Sequence, residues 1–72
     1  MIEFKTIQEE IVKDYKSLLK EYKQVNTLTE INSIIKKCNI LKSESFYYNI
    51  DIYISVNAIL IAMQEKKNLL TN

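Results

Sequence analysis

Phe46-Tyr47-Tyr48-Asn49-Ile50-Asp51-Ile52-Tyr53-Ile54-Ser55-Val56-Asn57-Ala58-Ile59-Leu60-Ile61-Ala62-Met63 holds most of the aromatic residues and the densest apolar run of the chain. Two readings compete for it. As a helix it carries three apolar rows: Tyr48, Ile52, Val56, Ile59 and Met63; Tyr47, Ile50, Ile54, Ala58 and Ile61; and Phe46, Ile50, Tyr53 and Leu60, broken by Asn57. A helix apolar on nearly every face is buried on more than one side. As a strand, residues 49–57 alternate, with Ile50, Ile52, Ile54 and Val56 facing one way and Asn49, Asp51, Tyr53, Ser55 and Asn57 the other.

The rest of the sequence favours the helix. No second strand candidate exists, so a strand over 49–57 would have to pair between molecules. Gly and Pro are both absent. Tight turns draw on those residues, whereas helices tolerate their absence. The expected class is therefore all-α, with residues 1–72 forming a single helical domain.

Upstream, Phe4, Ile7, Ile11, Tyr15, Leu18, Tyr22 and Val25 recur at steps of three and four, which predicts a first amphipathic helix over about residues 4–25. Thr6 and Glu9 match a capping box, although the helix could begin a turn earlier, near Glu3. Thr27 and Glu30 form a second capping-box pattern and open a shorter helix over about 28–42. Leu28, Ile31, Ile35 and Cys38 line one stripe of it, with Ile34 and Leu41 alongside. Lys42-Ser43-Glu44-Ser45 reads as the second break, with Ser43 or Ser45 capping a third helix over about 44–70. The expected architecture is an up-down-up three-helix bundle, its third helix central, overhanging the short second one and lying at an oligomer interface.

Composition excludes much chemistry. With no His there is no His-based triad, general base or metal ligand. With no Gly there is no P-loop, dinucleotide-binding loop or nucleophile elbow. The single cysteine, Cys38, cannot form an internal disulfide, and its place on an apolar stripe reads as a buried structural thiol. Glu10 and Asp14 lie one turn apart, too few oxygen ligands for a metal site. No cofactor, metal or catalytic residue is expected, and the chain is read as non-enzymatic. Residues 1–4 lack the basic and apolar regions of a signal peptide. Residues 50–63 are too short and too polar to span a bilayer, so a cytoplasmic protein without membrane contact is expected.

At 72 residues the chain has a thin stability margin. Without disulfide or metal, regular helix packing and oligomerisation remain as staples. Two short helices cannot cover all of the third. The leftover surface points to a protein-interaction module, most simply a homodimer, that binds a protein partner through Tyr47, Tyr48, Tyr53 and Ile54. The acidic row Glu10, Asp14 and Glu21, which Glu3 extends, would form the rim. Aromatic stacking on bases is disfavoured because no basic residue lies between Ser43 and Gln64. The alternative is a nucleic-acid-binding regulator presenting Lys13, Lys16, Lys20 and Lys23 to phosphates. A net charge of +1 gives no strong pull towards a polyanion. In size and pattern the chain is similar to small helical inhibitors, immunity proteins and copy-number regulators of phages, plasmids and bacteriocin loci, a resemblance of type that covers no specific motif.

Overall fold

A chain without Gly or Pro has few places at which a helix must stop. In the computed structural model, which describes residues 2–71 and the side chains of residues 4–71, helices run through almost the whole sequence. Helix α1 spans Ile2–Glu21 and tightens into one 3₁₀ turn at Tyr22–Gln24. Helix α2 spans Leu28–Tyr48, and α3 spans Ile50–Thr71. No strand occurs among the described residues: residues 50–57 lie in α3, and Asn49 stands just before it. The alternation of isoleucines is split by helical geometry: Ile52 and Val56 turn inwards while Ile50 and Ile54 face out.

The first two boundaries follow from local chemistry. α1 begins at Ile2, which places Thr6 inside the helix and not at its cap. Glu3 belongs to this first turn, but its side chain lies outside the described residues. Val25 leaves the helix with extended backbone (φ −80°, ψ 134°) and still buries its side chain. The Thr27–Glu30 capping box forms as its spacing predicts. The Glu30 N–H donates to Thr27 Oγ1 (3.2 Å), and the Thr27 N–H donates to Glu30 Oε1 (3.1 Å).

The second break lies elsewhere than the sequence suggests. α2 does not end near Lys42; it continues through Ser43, Glu44 and Ser45 to Tyr48. Ile31, Ile34, Cys38, Leu41 and Ser45 are all buried, at alternating steps of three and four. That seam runs on through the polar segment. Ser45 tolerates full burial because its hydroxyl donates to the Leu41 carbonyl one turn back (2.7 Å). It therefore caps nothing. The cap of α3 is Asn49, whose Oδ1 accepts the Ile52 N–H (3.2 Å).

Asn49 alone separates the two helices, with φ −158° and ψ 89°. Its N–H still donates to Ser45 (2.8 Å) and its carbonyl still accepts from Tyr53 (3.0 Å), so the joint costs few backbone hydrogen bonds. Gln8 of α1 clamps it. Gln8 Nε2 donates to the Tyr48 carbonyl, and Asn49 Nδ2 donates to Gln8 Oε1 (3.3 Å). At the other end, Lys66 Nζ of α3 donates to the Val25 carbonyl (2.6 Å). Thus the start of α1 sits at the α2–α3 joint, and the end of α1 sits beside the last turns of α3.

One core forms from all three helices. α1 supplies Ile11 and Leu18, with Val25 just beyond it; α2 supplies Ile31, Ile34, Cys38 and Leu41; α3 supplies Ile52, Val56, Ile59, Leu60 and Met63. α2, not α3, is the central member, because it packs along both neighbours while α1 and α3 approach each other only sparsely. The extension to Tyr48 is the reason. At 21 residues α2 is about 31 Å long, close to the 22 residues of α3, so no overhang of the expected kind arises.

Candidate interaction faces

α3 is apolar on two opposite sides. Ile52, Val56, Ile59 and Met63 close onto the core. Ile50, Ile54, Ala58 and Ile61 also recur at steps of three and four, about half a turn round the helix, and are exposed. Ile54 is 61% exposed. Beside the joint, the end of α2 adds Phe46 and Tyr47, the latter 81% exposed. Phe46 meets Tyr47 and Tyr53 edge-on, with centroids 5.1 and 5.2 Å away. Lys42 Nζ lies 5.7 Å above the half-buried Tyr53 ring. These ring-to-ring contacts join the end of α2 to the first turn of α3.

The four apolar residues read as interface candidates thus separate. Tyr47 is exposed on α2 and Ile54 on α3, while Tyr53 is half-buried and packs against Phe46. Tyr48 is half-buried on the other side of the joint, against the core and 5.5 Å from the Phe4 ring. Its ring holds α1 to the joint. Phe46 is exposed beside Tyr47 on α2, and Ile50 and Ile61 are exposed in the same row of α3 as Ile54. Their apolar character was legible, but which row faced outwards was not.

The acidic row is divided too. Glu10 is exposed on α1. Asp14 and Glu21 line a groove of about 310 Å³ between α1 and α2, with Leu18, Ile40 and Leu41 as its apolar wall and Glu44 across from them. Glu21 pairs with Lys37 of α2 (2.6 Å) across the groove. Both partners are well exposed, so the pair adds at most about 1 kcal/mol. Lys13, Lys16, Lys20 and Lys23 are all exposed, on α1 and the 3₁₀ turn after it. A shallow depression beside the first three also contains Glu9.

Two groups have shifted acidities. The Asn26 and Thr27 amides, with the Thr27 hydroxyl, donate to the Glu30 carboxylate and hold its pKa below the usual carboxylate range. Burial pushes the Cys38 thiol up to about 11, so it is protonated at neutral pH and is a poor nucleophile or ligand. Among the described residues there is no group of three or more His, Cys, Asp or Glu side chains that could hold a metal ion. Nor is any helix long and apolar enough to cross a membrane. Comparison of the chain with protein-family models, curated proteins and solved structures returned no match.

Proposed function

We propose that this chain is a small, non-enzymatic, cytoplasmic protein-interaction module, an up-down-up helical bundle that acts by binding a protein partner and self-associates as a homodimer. The inhibitor, immunity and regulatory proteins of mobile elements are the type it resembles. The observation that carries this reading is the outer face of α3. Ile50, Ile54 and Ile61 leave three large apolar side chains at least half exposed on one side of α3 in a 72-residue chain. Monomers seldom leave contiguous apolar patches of more than a few hundred Å² uncovered. The groove carrying Asp14 and Glu21 gives this module a second, acidic surface for the partner.

The test is solution mass by light scattering over a dilution series, for the native chain and for Ile50→Asp/Ile54→Asp. The native chain is expected to have a concentration-dependent mass above that of one chain. The double variant is expected to stay helical and monomeric. Equal masses at every concentration would overturn the self-association.

The second reading is a nucleic-acid-binding regulator, favoured by the exposure of Lys13, Lys16, Lys20 and Lys23. It predicts binding that weakens steeply with salt as counterions are released. No binding at low salt would remove it.

A further inference from the structure

Asn49 is the only residue between helices of 21 and 22 residues, whereas antiparallel helices are usually joined by two residues or more. Nothing in the sequence forbids a helix there. The chain has no Gly or Pro, and the Asn49 N–H and carbonyl already make helix-like bonds to Ser45 and Tyr53. The interruption lies beside them. The Ile52 N–H donates to Asn49 Oδ1, and the Tyr48 carbonyl that it would meet in a continuous helix accepts from Gln8 instead. We infer that this joint is a hinge with a second, straight position. In that position α2 and α3 form one helix over residues 28–71, and two copies exchange α3, each laying it on the α2 of the other. This goes beyond the proposed contact through the outer face of α3, which exchange leaves open.

The phase of the buried residues carries the inference. α2 buries Ile31, Ile34, Cys38, Leu41 and Ser45, at steps of three and four. Tyr48 comes three residues later and packs against the core. Four residues further, Ile52 opens the buried row of α3, continued by Val56, Ile59 and Met63. Two helices folded back at a joint need not share a phase, yet here the steps of three and four pass through the joint unbroken. On one straight helix these side chains would fall within an arc of about 120°, at ~100° per residue.

Two such helices, laid antiparallel about a two-fold axis at Asn49, set the α2 half of each against the α3 half of the other. Those are the contacts that each closed chain makes within itself, so the core dictates what covers each buried face. Closed and exchanged forms then differ chiefly at the joint. The Gln8 clamp and the Asn49 cap favour the closed form; a backbone bond from Ile52 to Tyr48 favours the straight one. Because α3 carries a large share of the core, exchange requires its release. Folded chains therefore keep the form in which they folded, and the concentration during folding decides between the two.

Spin-label distances in the full chain test this. A Ser33→Cys/Gln64→Cys chain carries a nitroxide at each exposed position, while Cys38 is buried and takes none. It is unfolded in urea and refolded with a large excess of unlabelled native chain, so that only distances within one chain are read. The closed form holds the labels on neighbouring helices, no more than about 20 Å apart. The straight form sets them about 46 Å apart, at ~1.5 Å per residue. Refolding at low concentration is expected to give monomer with the short distance. At high concentration it is expected to give a dimer with the long distance that survives dilution. Asn49→Ala loses the cap and the clamp and puts the best helix former at the joint, so the exchanged fraction should rise at least about threefold. Insertion of Gly-Asn-Gly after Asn49 eases the reversal and should abolish exchange. Ile50→Asp/Ile54→Asp should exchange as the native chain does, which separates this dimer from contact through the outer face. Short distances in every refolded species would overturn the exchange. A dimer showing only the short distance would leave self-association standing, whereas monomer throughout would remove both. An insertion variant that exchanges as readily as the native chain would overturn the role of the joint.

Discussion

On one side of α3, Ile52, Val56, Ile59 and Met63 are at most 7% exposed; on the other, Ile50, Ile54 and Ile61 are 50–61% exposed. The two rows are both rich in isoleucine and both recur at steps of three and four. Only the inner one has a counterpart within the chain, built from the α2 seam and from Ile11, Leu18 and Val25. Burial is therefore decided by what lies opposite a row. A bundle of three helices supplies one covering for a helix that has two faces to cover.

The sharpest way to break this comparison is to place one carboxylate on each face in turn. Val56→Asp puts a charge where no partner exists, at a position with 0% exposure. A chain of this size has only roughly 4–11 kcal/mol of stability, so loss of cooperative unfolding is expected by circular dichroism. Ile54→Asp, two residues away, is expected to retain the helical spectrum and lose only self-association. If both variants unfold, the faces do not differ as described.

Truncation separates the faces more gently. Met63→Ala is expected to cost about 2–5 kcal/mol in urea unfolding, as buried methionine or isoleucine truncations do. Ile61→Ala should change monomer stability by no more than about 0.5 kcal/mol when measured well below the association range. A large loss for Ile61→Ala would place it in the monomer core.

Next in size are the joints that decide which row turns inwards. Asn49→Ala removes the acceptor for the Ile52 N–H and the donor to Gln8, and Thr27→Ala removes the cap of α2. Each is expected to cost about 1 kcal/mol. The effect of Asn49→Ala should largely vanish in a Gln8→Ala background if the clamp acts as a unit, which a double-mutant cycle measures.

The smallest effect is a pH dependence at the start of α2. The folded pKa of Glu30 is depressed, so its contribution is present above its unfolded pKa and is lost as pH falls through the folded value. Native stability should decline slightly more on acidification below about pH 4 than that of Glu30→Gln. Parallel curves would mean that the hydrogen bonds to Glu30 do not survive in solution.

Much of this comparison is legible in the sequence. The steps linking Ile11, Leu18 and Val25, the Thr27–Glu30 box, and the row Ile52, Val56, Ile59 and Met63 all read correctly, because each is a local pattern set by helical geometry. Three things are not legible. Ser45 has the chemistry of a cap, yet a hydroxyl bonded back to its own helix can serve as a core position. Asn49 is also the polar half of a strand-like alternation, which hides its role as the reversal point. Finally, two apolar rows on one helix carry no local sign of which faces inwards. That choice is made by the twist of the Asn49 joint and by the clamp from Gln8, forty-one residues upstream in the chain.

The most direct test of the two-faced helix is solvent accessibility of the isoleucine δ1 methyls, read by NMR with a soluble paramagnetic probe at high and low protein concentration. Ile52 and Ile59 should be shielded at both concentrations. Ile50, Ile54 and Ile61 should be shielded only at the high one and become accessible on dilution. Outer methyls equally accessible at both concentrations would contradict the account, because the face that defines the proposed function would then be left uncovered by a second copy.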